Sequence, residues 1–240
     1  MNTKDIIRQI HIRYLRFCGN LRPQIEPKGR VLIVAPHPDD EVIGCGGLIA
    51  RLVGEGHTPH IIIMTGGESS HRSCCQTSDD DIKTARRRLT RNALNILDMK
   101  EEYIHELDFP DGGISAAHPG ADKLSRLISR ISPDMVFVPH LGEVWPDHIN
   151  TAEIIKDMVS ANTQIYEYCV WMWYYNVWRG LNWKNAFRLT MSSEEHRSKL
   201  AAMEAYIKPL APCRKPWSGD LPEIFINANS GNTELYFKVI

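Results

Sequence analysis

The feature that most constrains this chain is a short apolar run, Arg30-Val-Leu-Ile-Val-Ala35, which stops at Pro36-His37-Pro38-Asp39-Asp40-Glu41 and gives way to a helical pattern over residues 44–55. An apolar run without polar alternation suits a strand buried on both faces, and such strands belong to parallel sheets covered by helices. The pattern recurs along the chain. His60-Ile-Ile-Ile-Met-Thr65 predicts a second strand, Asp79, Asp80 and Asp81 start a helix that reaches about residue 97, and a weaker strand falls near residues 103–107. Pro110-Asp111-Gly112-Gly113 is a turn, residues 121–131 are helical by pattern, Asp134-Met-Val-Phe-Val-Pro139 is another buried strand, and residues 148–159 form a further helix. Strands alternating with helices predict an α/β fold with a mostly parallel sheet and helices on both faces. In such sheets ligands bind beyond the carboxyl ends of the strands, and both histidine-bearing segments follow predicted strands.

Composition narrows the function classes. The 240 residues suit one domain with a sizeable core, and 28 basic against 29 acidic side chains leave no field that would favour nucleic acid. No apolar run approaches the roughly 20 residues that span a bilayer. Arg8, His11, Arg13 and Arg16 interrupt the N-terminal apolar residues in a way a signal peptide does not tolerate, so the cytoplasm is the expected compartment. Residues 3–18 read as a basic amphipathic helix, with Ile6, Ile10, Tyr14 and Phe17 at helical spacing, and Pro23 and Pro27 set it apart. The expected organisation is therefore an N-terminal helix and linker, 1–27, ahead of a domain at 28–240. A helix docked on that domain is favoured over one that rests on an anionic membrane through residues 1–22. Cys18, Cys45, Cys74, Cys75, Cys169 and Cys213 contain no C-x-x-C pair and read as free thiols. The C-terminal third is less regular, with one clear helix at residues 192–206. Tyr166, Tyr168, Trp171, Trp173, Tyr174, Tyr175, Trp178 and Trp183 form an aromatic stretch, most of it expected in the core although aromatic faces also stack on sugars.

The residues after the first strand carry chemistry. His37 and Asp40, three apart, can aim an imidazole and a carboxylate at one point, a donor pair suited to a divalent ion such as zinc. His148, in Trp145-Pro146-Asp147-His148, can supply a third ligand from the far strand. Three protein ligands with one open position mark a catalytic rather than a structural zinc. Asp39 can then face the open position and accept a proton from water there, while Glu41 and Asp147 are expected to orient the imidazoles through their other ring nitrogens. The competing reading makes Asp39, Asp40 and Glu41 ordinary acids at a helix start and His148 a capping or solvated side chain. Gly44, Gly46 and Gly47 do not complete a dinucleotide fingerprint, since the last glycine would have to stand at Ile49; no Gly-x-Ser-x-Gly elbow or Gly-Lys-Ser/Thr loop is present either.

The run Val31-Leu-Ile-Val-Ala-Pro-His-Pro-Asp-Asp-Glu-Val-Ile-Gly-Cys-Gly-Gly47 resembles the signature of the LmbE-like, or PIG-L, family of deacetylases. The resemblance continues through Met64-Thr-Gly-Gly-Glu68, Phe109-Pro-Asp-Gly112, Pro139-His-Leu-Gly142 and Asp147-His148, and so covers about residues 30–207. It implies a Rossmann-like three-layer sandwich and zinc-dependent hydrolysis of the acetamide of an N-acetylglucosamine-type sugar, free or in a glycoconjugate. It places zinc on His37, Asp40 and His148, makes Asp39 the general base, and assigns sugar binding to Asp111 and to an arginine of the third helix, Arg87 among the neighbours Arg86 and Arg88. Two positions depart from the pattern. Thr90 stands where glutamate is frequent, and Trp145 stands where many members have a histidine that steadies the oxyanion or protonates the leaving amine. An indole N–H donates one hydrogen bond but cannot act as an acid. His140, at the end of the strand that leads to Trp145, is the alternative acid; the alternative function is a zinc-containing sugar-binding protein with weakened catalysis.

Overall fold

The residues of Val31–Ala35 (β1) are buried along the whole strand, and their side chains divide by the two-residue period of a strand. Val31, Ile33 and Ala35 enter one core, Leu32 and Val34 the other. The computed structural model, which describes residues 3–72, 76–175 and 181–239, builds the sheet outward from this strand. The other strands are β2 (His60–Thr65), β3 (Ile104–Phe109), β4 (Met135–Pro139), β5 (Gln164–Tyr168), β6 (Ala186–Thr190) and β7 (Thr233–Lys238), in the order β3-β2-β1-β4-β5-β7-β6. The first five are parallel, while β7 runs antiparallel to both β5 and β6. Helices α2 (Asp40–Gly54), α3 (Asp79–Ile96) and α6 (Ser193–Ile207) pack over one face, and α4 (Gly120–Ile131) and α5 (Pro146–Met158) over the other. This is the expected α/β sandwich with a mostly parallel sheet. Successive strands progress outward in one direction from β1 and in the other from β4, so the carboxyl ends of these two neighbours open the crevice where ligands bind in such sheets.

Helix α2 starts four residues earlier than its apolar pattern suggests, at Asp40, because the acids belong to its first turn. Its glycines serve packing: a Cβ on Gly44 would stand 2.3 Å from the Tyr168 ring. The C-terminal third is more regular than its sequence implies. Besides α6 it forms β6, β7 and the short helix α7 (Glu223–Asn229). Strand β7 hides its nature behind Glu234, whose carboxylate is buried, bonds Lys199 Nζ at 2.7 Å and accepts from the backbone N–H groups of Gly47 and Leu48. Of the aromatic stretch, Tyr166, Tyr168 and Trp173 are core residues, Trp171 is half-buried, and Trp178 lies outside the described residues, as do Cys74 and Cys75.

Helix α1 (Thr3–Asn20) lies against β6, β7 and α7, burying His11 and placing Ile12 and Leu15 in a third cluster with Trp173 and Phe237. No helix among the described residues is long and apolar enough to cross a membrane.

Candidate metal and active site

The chain leaves β1 at Pro36 and turns sharply at Asp39, the residue ahead of α2. Asp39 has φ 113° and ψ −31°, a region that non-glycine residues occupy at a cost of about 1–3 kcal/mol unless their surroundings hold them there. The surroundings do so. Glu41 Oε2 accepts the Asp39 backbone N–H at 3.0 Å, and the hydroxyl of Tyr206 on α6 donates to Glu41 Oε1. Arg86 on α3 donates to the Pro38 carbonyl, to Asp39 Oδ2 at 3.1 Å and to the Gly67 carbonyl at 3.1 Å. Gly67 has to be glycine: its φ is +67° and a Cβ would stand 2.3 Å from the Arg86 guanidinium.

Around this turn the ligand candidates converge. His37 Nδ1 lies 3.2 Å from Asp40 Oδ2, and His148 Nε2 approaches the same oxygen at 3.4 Å. The three donor atoms lie within 4.8 Å of one another, and so do those of a second group, His37, Asp111 and Asp147. His37 belongs to both. Its Nε2 faces Asp111 Oδ1 at 3.2 Å and Asp147 Oδ2 at 3.3 Å. Two carboxylates on Nε2 require a proton there, which leaves the Nδ1 lone pair of a neutral ring aimed at the Asp40 carboxylate. That face-off of lone pair and anion is favourable only if the ring is charged or a cation sits between them. Burial disfavours a charged His37, but the three carboxylates outweigh it and push its pKa well above the ordinary value. His148 behaves in the opposite way. Its burial, only partly offset by Asp40, brings it down to about 4, so it offers a neutral imidazole. Asp40 stays ionised, because the two histidines overcome its own desolvation. Two imidazole nitrogens and one carboxylate around a common point fit a divalent zinc-type ion, with His37 Nδ1, Asp40 and His148 Nε2 as donors.

The remaining expectations divide. Asp147 accepts the N–H groups of Gly112 at 2.7 Å and Ile114 at 3.2 Å as well as facing His37, so it ties the Pro-Asp-Gly turn to the imidazole. Asp111 faces His37 and accepts the Ser69 N–H at 2.8 Å; despite its burial these partners hold it down at about 2. Glu41, expected beside an imidazole, instead supports the Asp39 backbone. Its burial and the neighbouring Asp40 charge raise it to about 7, against the hydrogen bonds it accepts from Tyr206 and the backbone. Arg87 does not point into the cleft. Helical geometry turns it outward to Asp108 Oδ1 at 2.6 Å and the Leu107 carbonyl, and its neighbour Arg86 enters the site. His140, the alternative acid, is placed away from the cleft: Phe237 packs on its ring, Gly142 N–H donates to its Nδ1 and Glu167 lies 3.4 Å from its Nε2.

Two features escaped the sequence reading. Glu143 is buried, accepts the backbone N–H groups of Val170, Trp171 and Met172, and lies 3.7 Å from His148 Nδ1. Burial raises it to about 8 in spite of those donors. A buried acid within an apolar loop was its only signal. The second feature is the far wall of the cleft, where Ser218, Leu221 and Phe225 come from the C-terminal segment. The cleft encloses about 290 Å³ above His37, Asp39 and His148. Trp171 stacks on Phe225 at 4.1 Å, and Trp145 meets Trp171 edge-on at 5.8 Å while 44 % exposed at the rim.

Comparison with known proteins identifies the family and the fold. The chain is 25% identical over 158 residues to a 1D-myo-inositol 2-acetamido-2-deoxy-alpha-D-glucopyranoside deacetylase of Corynebacterium diphtheriae, covering 57% of this chain and 54% of that protein. It is 29% identical over 134 residues to a diacetylchitobiose deacetylase of Thermococcus kodakarensis, covering 55% and 49%. The chain thus spans about half the length of these curated relatives. Its fold is shared with a solved deacetylase triple mutant of the teicoplanin biosynthetic pathway, at a TM-score of 0.68 and 18% identity over 88% of this chain and 98% of that one. The model of the family described as "PIG-L: GlcNAc-PI de-N-acetylase" matches residues 32–159, more than half of the chain and the segment that carries every ligand candidate; the protein belongs to the PIG-L family.

Proposed function

We propose that this protein is a zinc-dependent hydrolase that removes the acetyl group from an N-acetylated amino sugar of the N-acetylglucosamine type. The observation that carries the reading is the convergence of His37, Asp40 and His148 beside a buried Asp39 whose carboxylate is fixed by Arg86. Zinc held by these three side chains supplies a Lewis acid that makes water a nucleophile near neutral pH and polarises an amide carbonyl. Asp39 accepts the proton of the attacking water. Burial pushes its carboxyl well up, against the pull of Arg86, and so makes it a stronger base than an exposed aspartate. With Trp145 unable to supply a proton and His140 turned away, Asp39 also returns that proton to the leaving nitrogen. Asp111 and Arg86, both lining the cleft, face the sugar, and the Trp171–Phe225 stack offers it an apolar wall. A cleft of about 290 Å³ lies at the low end of small-molecule sites, roughly 300–1,000 Å³. It suits one acetamido sugar ring whose aglycone, small molecule or glycoconjugate, stays outside.

The second reading, a zinc-containing sugar-binding protein with weakened catalysis, rests on Trp145. Acetate release from a panel of N-acetylglucosamine conjugates separates the two. The deacetylase reading expects release that a chelator abolishes and added zinc restores. Sugar binding by the zinc-loaded protein without acetate release leaves the binding reading in its place.

Arg86 gives a sharper check of the site. An Arg86→Met variant leaves the Pro38 and Gly67 carbonyls and Asp39 without their donor, and each buried unpaired group costs about 1–3 kcal/mol. Its kcat/KM is expected to fall by about two orders of magnitude or more. Arg87→Met removes a hydrogen bond to the Leu107 carbonyl and ion pairs with Asp108 and Glu106, all away from the cleft, and should keep kcat/KM within about twofold of the parent. Equal losses from the two variants would overturn the choice of Arg86.

A further inference from the structure

Helix α1 is apolar on two opposite faces. Its inner face, with Ile12 and Leu15, is buried in the core under β6 and β7. Its outer face carries Ile6, Ile10, Tyr14, Phe17 and the following Leu21, which are 43, 54, 37, 66 and 62 % exposed, with Ile7 beside them at 41 %. These residues recur at intervals of three and four and so form one stripe, about 22 Å long at 1.5 Å per residue. A surface helix of a water-soluble domain ordinarily turns charged side chains to this side.

The charges around the stripe indicate what covers it. Residues 1–22 hold Lys4, Arg8, Arg13, Arg16 and Arg22 against the single acid Asp5, whereas the whole chain has a net charge of −1. Positive charge is therefore concentrated where the apolar surface is exposed. Lys4 and Arg13 are exposed alongside the stripe. Arg8 is committed to Asp5 and the Tyr174 ring, and Arg16 to the carbonyls of Asn227 and Ala228. A second copy seated on the same stripe would bring two basic segments together, which opposes a symmetric dimer through α1. An anionic lipid surface satisfies both properties, since its acyl boundary takes the Ile, Phe and Leu side chains and its headgroups take the Lys and Arg.

We propose that α1 is a membrane-surface helix, docked on the domain by its inner face and inserted by its outer face into the interface of an anionic bilayer. Docking by the inner face holds the helix preformed, so lipid binding does not have to order it. Arg8 packs 4.0 Å over Tyr174, and Tyr174 meets the cleft residue Trp171 edge-on at 5.9 Å. The proposal is independent of the reaction catalysed, because its readout is binding.

The test is co-sedimentation of the full chain with phosphatidylcholine vesicles, with and without about one third phosphatidylglycerol. The parent is compared with a Phe17→Glu/Leu21→Glu variant and a Lys4→Glu/Arg13→Glu variant. The parent should bind the anionic vesicles, and binding should weaken by about tenfold or more on zwitterionic vesicles and in either variant. All four side chains are exposed, so the variants should keep the parent Tm. Binding to anionic vesicles should also weaken as salt is raised. Failure of the parent to bind anionic vesicles, or equal binding by the Phe17→Glu/Leu21→Glu variant, overturns the proposal. So does a dimer in sedimentation velocity that this variant dissociates, which would assign the stripe to a second copy.

Discussion

An Asp39→Asn variant is expected to retain its metal and its fold while losing turnover by about 10²–10⁴-fold, the range general-base catalysis supplies. The substitution separates the roles of this residue cleanly. Asn tolerates positive φ better than most residues, so the strained turn at φ 113° can persist. Its amide oxygen can still accept from Arg86, and its backbone N–H still donates to Glu41. What disappears is the capacity to take a proton. Asp39 is not among the three grouped donors His37, Asp40 and His148, so metal content should stay at the parent level. Asp39→Ala is a poorer test, because it also removes the partner of a buried guanidinium. Activity within about tenfold of the parent would sink the base assignment. Loss of metal from Asp39→Asn would instead mean that the Asp39 side chain helps to hold it.

The parallel half of the fold was legible because the interiors of β1, β2 and β4 are apolar runs without polar alternation, and each strand leads on to a helix. Burial on both faces writes itself into composition. The antiparallel edge was not legible, because β7 carries a buried Glu234 whose acceptability depends on Lys199, 35 residues away, and on two backbone donors of α2. Pairing of that kind has no local signature. The same division holds at the site. His37, Asp39, Asp40 and His148 announce themselves at the ends of strands. Which of three consecutive arginines enters the cleft depends on how α3 is rotated against β2 and β3, and only packing fixes that: Arg86 is buried and Arg87 reaches Asp108. Glu41 shows a further limit. Its place beside the ligands suggested a partner for an imidazole, but the helix starts at Asp40 and turns Glu41 back to the Asp39 N–H and towards Tyr206. His140, near in sequence to the second motif, is drawn to Glu167 on the neighbouring strand, and that strand pairing is invisible until the sheet is built. Trp145 cannot act as an acid, so the proposed reaction would depend on Asp39 more heavily than the motif alone implies.

Removing a metal ligand should have the largest effect on stability. Zinc binding at about 1,000 times its Kd adds about 4 kcal/mol to the folded state. At about 2–4 °C per kcal/mol for a chain of this size, saturating zinc should raise the Tm of chelated parent protein by roughly 8–16 °C. His148→Ala should abolish both this shift and stoichiometric metal content, because His148 is 1 % exposed and supplies a neutral nitrogen that no nearby water-facing group replaces. Asp111→Asn distinguishes the two ligand groups that share His37. If the ion sits among His37, Asp40 and His148, Asp111 contacts only the far nitrogen of His37, so the variant should keep stoichiometric metal and lose activity through substrate binding. If instead the ion sits among His37, Asp111 and Asp147, Asp111→Asn should release it and His148→Ala should not. The lone pair of His37 Nδ1 favours the first outcome. Its Nε2 hydrogen is already claimed by Asp111 and Asp147, and an N–H cannot also be a ligand. A His148→Ala protein that still binds one zinc and still gains its full Tm shift would move the metal to the other side of this ring, and the water-activating role of Asp39 would fall with it.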